Sequence, residues 1–215
     1  MTDRQAIMGF VITGLLLVLL IMVTLSLEVS NRSILLREHG IVELASVFGY
    51  FWCALFILYK GGFAYLLRYN YFFMLVIFFM LRELDFDKKF TTTGILKTRF
   101  FLSDDVHFLE KIIGALVVFI LIYIVLRILF HHLKTFYYGL MSRSIISIGA
   151  LLVFMLLVIS KLLDGIGRKL NRVGVEIGEM ASSHLSAVEE ILELGIPIAL
   201  LLTFSVYFKR IKVLP

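Results

Sequence analysis

The chain is short of charge, of cysteine and of every common catalytic signature. Only 17% of its 215 residues are charged, against about 25% in a typical soluble domain. Hydrophobic residues make up 60%, and the mean hydropathy is +0.99. That balance excludes a disordered chain, a collagen repeat and an ordinary soluble fold. Cys53 is the only cysteine, so there is no intramolecular disulfide and no paired-cysteine metal motif. Its apolar surroundings in sequence read as a buried, inert thiol. HExxH, GxSxG, a Walker lysine loop and a helix-opening GxGxxG are all missing, which removes soluble-type hydrolases and nucleotide-driven pumps. No aromatic–basic RNA-recognition signature occurs either, so nucleic acid is not an expected partner.

What is present is a series of long apolar runs. A hydrocarbon layer about 30 Å thick is crossed by roughly 20 apolar residues in helix. Six runs meet or nearly meet that length: Ile7–Leu27, Val42–Tyr59, Ala64–Leu81, Ile112–Phe130, Ser144–Leu163 and Ile191–Phe208. The expected fold is an all-α polytopic membrane protein, a single membrane domain over 1–215 with about six transmembrane helices. The first run is too long for a signal-peptide core, and no small-residue cleavage site follows Leu27. Pro197, the only internal proline, falls inside the sixth run, where it removes a backbone hydrogen bond and favours a bend.

The few charges are sorted. Of 16 acids, only Asp3 falls on the side of the termini in a six-span arrangement. The other 15 lie in or beside the polar loops 28–41, 82–111 and 164–190. The short connections holding Lys60 and Lys134–Arg143, and the tail with Lys209, Arg210 and Lys212, are basic. By the positive-inside rule both termini are cytoplasmic and the acidic loops extracytoplasmic. The expected setting is a bacterial inner (plasma) membrane. The net charge of +5 then reflects anchoring at lipid headgroups.

Each outer loop has a pattern. Asn31-Arg32-Ser33 in the first matches a glycosylation sequon, relevant only in a eukaryotic secretory setting. The second alternates charges with Leu84, Phe86 and Phe90, the mark of an interfacial or re-entrant segment. In the third, Ile166, Leu170, Val173, Ile177, Met180 and His184 recur at steps of three and four. That stripe predicts a helical extension of the fifth span, packed on the chain's own loops or on a neighbouring subunit.

Candidate chemistry gathers on the acidic face. Glu43, Glu190 and Glu193 sit at the mouths of apolar runs, where acids are expensive and suggest a functional role. Arg37 and Arg82 are their candidate ion partners, and Arg99 is a further basic loop partner. His39 precedes Glu43 by four residues, Asp104 precedes His107 by three, and His184 lies upstream of Glu190. Paired histidine and carboxylate at helical spacing is how helical bundles hold divalent metals. His39, Asp104, His107 and His184, with Glu190, are therefore the candidate ligands, and a divalent metal the only candidate cofactor. The Glu-x-x-His order of di-metal bundles is absent; solvated ion pairs are the alternative. His131-His132, on the opposite side beside Lys134, reads as a headgroup-facing anchor.

Three functions fit. The first is a small channel, transporter or membrane-embedded subunit of a complex, with the acids attracting cations or protons. The second is a metal-dependent enzyme acting on a lipid or lipid-linked substrate at the outer interface. The third is a structural or sensing scaffold assembled through the 166–184 helix. The expected partners are the bilayer and either further copies of the chain or a larger membrane complex.

Overall fold

A computed structural model of the chain describes residues 3–27, 40–86, 89, 94–95, 97–172, 174, 176 and 178–211. Among the described residues the structure is helical, with no strand. The helices are α1 (Asp3–Ser26), α2 (Ile41–Glu83), α3 (Thr98–Leu102), α4 (Phe108–Met141), α5 (Ile145–Leu163), α6 (Ile166–Asn171) and α7 (Glu179–Ile211). Five of them, α1, α2, α4, α5 and α7, are long and apolar enough to cross a membrane.

The apolar runs Val42–Tyr59 and Ala64–Leu81 both fall on α2. Its 43 residues would reach about 65 Å as one straight helix, roughly twice the hydrocarbon thickness. The backbone leaves helical geometry at Gly62 (φ 65°, ψ −176°) and at Tyr69 (φ −127°, ψ 34°). Positive φ is accessible to Gly62 because it has no Cβ. The break at Gly62 thus falls in the connection between the two runs, and the one at Tyr69 inside the second run.

The chain divides into two compact units, Met1–Cys53 with Gly139–Pro215, and Ala54–Tyr138. In the first unit α7 packs against both α1 and α5. On α1 only Ala6, Thr13, Leu17 and Thr24 are buried, a narrow stripe along one side of the helix. The remaining apolar surface of α1 is open, as at Leu15 and Met22. On α5 the buried set is Ile145, Ser147, Gly149, Val153, Leu156 and Ser160. Half of these, Ser147, Gly149 and Ser160, are small residues, which let helices approach where lipid supplies no hydrophobic drive between them. A Cβ on Gly195 of α7 would lie 2.6 Å from Leu17 of α1, and one on Gly149 of α5 would lie 2.8 Å from Phe10 of α1.

Pro197 is fully buried in α7, which continues through it as one helix. It cannot donate the N–H that would otherwise reach the Glu193 carbonyl. Gly49 of α2 receives the ring: a Cβ there would lie 2.9 Å from Pro197 Cβ.

Two helix ends are built from left-handed residues. At the end of α4, Arg143 has φ 55°, the Ser144 N–H bonds the Gly139 carbonyl, and the Arg143 N–H bonds that of Leu140. This is a Schellman cap with arginine in the position glycine usually takes. At the end of α5, Gly165 has φ 59°. That residue corrects the expected continuation of the fifth span. The chain turns at Asp164–Gly165, and Ile166 starts the separate short helix α6. The predicted stripe is divided as a result. Ile166 and Leu170 lie on α6, Met180 and His184 on α7, and Val173 and Ile177 lie outside the described residues. The segment 164–190, expected as a polar loop, is largely helical, because α7 begins at Glu179.

In the second unit Ile95, Phe100 and Val106 form a buried cluster, with Phe101 and Val118 packed against it. Phe100 fills the space left at Gly114 in α4, where a Cβ would lie 2.5 Å from its Cε1. The segment leading into α4 is therefore held on the first turns of that helix.

Candidate functional site

The acids expected to carry function lie on helices of the first unit. Glu43 is in the first turn of α2, where the helix dipole favours a negative charge. Glu190 and Glu193 are three residues apart on α7. All three are half-buried and engaged in interactions. The carbonyl that would accept an N–H from position 197 in an unbroken helix is that of Glu193, so the acid lies one turn before the proline.

Arg82 is engaged locally. It donates to Glu83 at 2.9 Å, and the Glu83 side chain is only 4% exposed. Pairing and hydrogen bonding are what make a buried carboxylate tolerable. Glu83 is the acid that sequence reasoning passed over; its place among alternating loop charges gave no sign of burial. Arg99 is exposed on α3, near the buried Phe100.

The metal constellation is not assembled among the described residues, where no three His, Cys, Asp or Glu groups lie together. Asp104 and His107 are exposed, and the turn between α3 and α4 is tied by its own serine. Ser103 Oγ donates to Asp105 Oδ2 at 3.2 Å and accepts from the Asp105 N–H at 3.3 Å. His184 is half-buried on α7. His39 and Arg37 lie outside the described residues.

Beyond α5, Lys161 pairs with Asp164. The hydrogen bond from Lys161 holds the Asp164 carboxyl below the usual carboxylate range, with the charges of Lys161, Lys169 and Arg168 adding to it and desolvation opposing it. Lys169 Nζ also donates to the Lys161 carbonyl at 3.3 Å, so α6 is tied to the end of α5.

The richest polar grouping of the second unit is at the other end of α4, around His132. Its Nε2 is hydrogen-bonded to the buried Tyr71 hydroxyl at 2.6 Å, and the Phe72 ring is 5.0 Å away. One helical turn earlier, Arg127 Nη1 donates to His131 Nε2 at 2.9 Å. The guanidinium lies 5.9 Å from the Tyr71 ring and 6.0 Å from that of Tyr123. The adjacent histidines marked an interface in the sequence. Their separate partners depend on Tyr71 arriving from α2, which no local pattern announces.

These features define the protein's class: among the described residues, an all-helical chain with five helices long and apolar enough to cross a membrane. No protein-family model, no curated protein and no solved structure matches the chain.

Proposed function

We propose that the chain is a membrane-embedded, non-catalytic subunit of a larger assembly, not a pore complete in itself. One observation carries this reading: five hydroxyls at the helix contacts of the first unit are turned onto their own helices. Thr13 donates to Gly9 O, Ser46 to Val42 O, Ser160 to Leu157 O, Thr203 to Ala199 O and Ser205 to Leu201 O. A hydrophilic path needs such groups turned toward it. With the hydroxyls so used and the contacts closed by small residues, the unit supports packing better than passage.

In this reading α2 crosses twice, once on each side of its break, giving six spans with both termini cytoplasmic. The described residues of the loop 82–111 lie at the outer interface, with exposed Phe86 and Leu102 toward lipid. Glu43, Glu190 and Glu193 attract cations on that face. The broad apolar surfaces of α1 and α4 meet lipid and neighbouring subunits.

Extraction of the full chain with its native bilayer into polymer-bounded discs, followed by mass measurement, tests the proposal. The expected particle holds more protein than one 24.7 kDa chain. A particle holding a single chain that conducts cations after reconstitution overturns it and favours a self-contained transporter.

A further inference from the structure

We infer that the end of α4 carries a phosphate-binding site formed by Arg127, His131 and Lys134, with Tyr71 and Tyr123 flanking the guanidinium. The occupant is the phosphate of a membrane phospholipid. This goes beyond the assembly reading and needs only that α4 cross the bilayer.

Depth is the first support. α4 is without charge from Ile112 to Leu126. Arg127 is 16 residues beyond Lys111, or about 24 Å along the helix, and the hydrocarbon layer is about 30 Å thick. The Arg127 backbone therefore lies just inside the hydrocarbon edge, and His131 lies at it. The Arg127 guanidinium is hydrogen-bonded to His131, one turn toward the C-terminus and the headgroups, and a long arginine stem lets its charged head reach that level.

The donor inventory is the second support. A guanidinium has five N–H donors and no acceptor. Among the described residues Arg127 uses one of them, to His131, and no carboxylate forms an ion pair with it. Its Nε is buried with no hydrogen-bond partner. A charged group at this depth without a counter-ion is costly. The Tyr71 and Tyr123 rings offset part of that cost through their π faces but accept no hydrogen bond in the guanidinium plane. A phosphate supplies the missing charge and paired oxygens that match the guanidinium fork.

The third support is register. Tyr123, Arg127, His131 and Lys134 fall at successive steps of four, four and three, which places them on one face of α4. His131 and Lys134 are exposed, so the face is open to a headgroup. The Tyr71–His132 hydrogen bond holds a ring beside Arg127 from the neighbouring helix.

The test is lipid titration of the delipidated full chain in mild detergent, read by native mass spectrometry. Phosphatidylglycerol and phosphatidylcholine are compared with diacylglycerol, which lacks the phosphate. Both phospholipids should bind and diacylglycerol should not. Arg127→Gln should weaken phosphatidylglycerol binding about tenfold and Arg127→Lys by less, because a lysine keeps the charge although it cannot offer the planar fork. Arg210→Gln, which removes a basic residue paired with Asp3, should leave binding unchanged. Should Arg127→Gln fail to fold, the exposed pair His131→Gln with Lys134→Gln carries the test, with an expected loss of several-fold. Inorganic phosphate separates the two sources of the anion. Failure to displace the lipid at millimolar concentration supports the headgroup, whereas displacement assigns the site to a free phosphate. Equal binding by folded variants and the natural chain, or equal binding of diacylglycerol, overturns the site.

Discussion

Replacing Gly149 by alanine should loosen the three-helix contact on which the first unit rests. The new Cβ would point into the junction of α1, α5 and α7, where Thr203 Oγ1 is the nearest atom. Phe10 Cζ would follow at 2.8 Å and Thr203 Cβ at 3.3 Å. The threonine hydroxyl cannot simply rotate aside, because it donates to the Ala199 carbonyl at 2.7 Å. Phe10 packs against the cluster of Ala6, Ile145 and Val206, so a ring shift passes into that cluster. Overpacking of this kind costs about 1–3 kcal/mol. Alanine recovers roughly 0.5–1 kcal/mol of that through its better helix propensity. The net expectation is a loss of about 1–2 kcal/mol. Gly14→Ala on α1 is the internal control, since no atom lies within 4 Å of its Cβ. There only the propensity gain of about 0.5–1 kcal/mol remains. Unfolding in detergent can be followed by the fluorescence of Trp52, the only tryptophan, which lies in the same unit. Gly149→Ala should unfold at a lower temperature than the natural chain and Gly14→Ala at the same or a higher one. If the two variants prove equally stable, the close approach of the three helices is refuted. Thr203→Ala placed on Gly149→Ala should restore part of the loss, because it removes the nearest obstacle.

Arg143→Gly relieves the left-handed residue that ends α4 but adds freedom to the unfolded chain. The expected result is a change between zero and about +1 kcal/mol in thermal unfolding, whereas Arg143→Val should destabilise because a β-branched residue resists positive φ. Asp164→Asn removes the pair with Lys161. Since folding lowers that carboxyl, its contribution is present above the unfolded value near 4 and is lost as pH falls through the lower folded one. The exposed pair is worth roughly 0.2–1 kcal/mol, so the melting-temperature gap between the natural chain and the variant should be open at pH 7 and closed well below pH 4. Cys53 is buried, so the natural chain should stay unlabelled by a membrane-impermeant maleimide. On that silent background Lys60→Cys should be reached only from the cytoplasmic side and His107→Cys only from outside, and the reverse pattern would invert the proposed topology.

How much of this was legible in the sequence depends on the range of the physics involved. The membrane-crossing helices were legible because a bilayer imposes one long-range requirement, a sustained apolar run, that any window along the chain can read. The helix ends were less so. The stripe from Ile166 to His184 has correct helical spacing, and a single residue defeats it. Gly165 adopts φ 59°, and the choice between continuing and turning there belongs to a glycine's freedom, not to any periodicity. The run Val42–Tyr59 is separated from Ala64–Leu81 by just such a residue, Gly62. The polar sites were the least legible. Arg82 pairs with its sequence neighbour Glu83, an acid whose burial no local pattern announced. Tyr71 and His132 are 61 positions apart, so neither residue alone carries a sign of the other. Arg127 shows the limit most clearly. In sequence it is one charge near the end of an apolar run, a common snorkelling position. Its significance comes from what the folded chain places around it: a hydrogen bond to His131, a buried Nε, and a ring brought alongside by another helix. In a bilayer apolar side chains are the solvent-matched majority and specify little beyond placement. The few polar ones specify most, through partners that only the folded chain supplies.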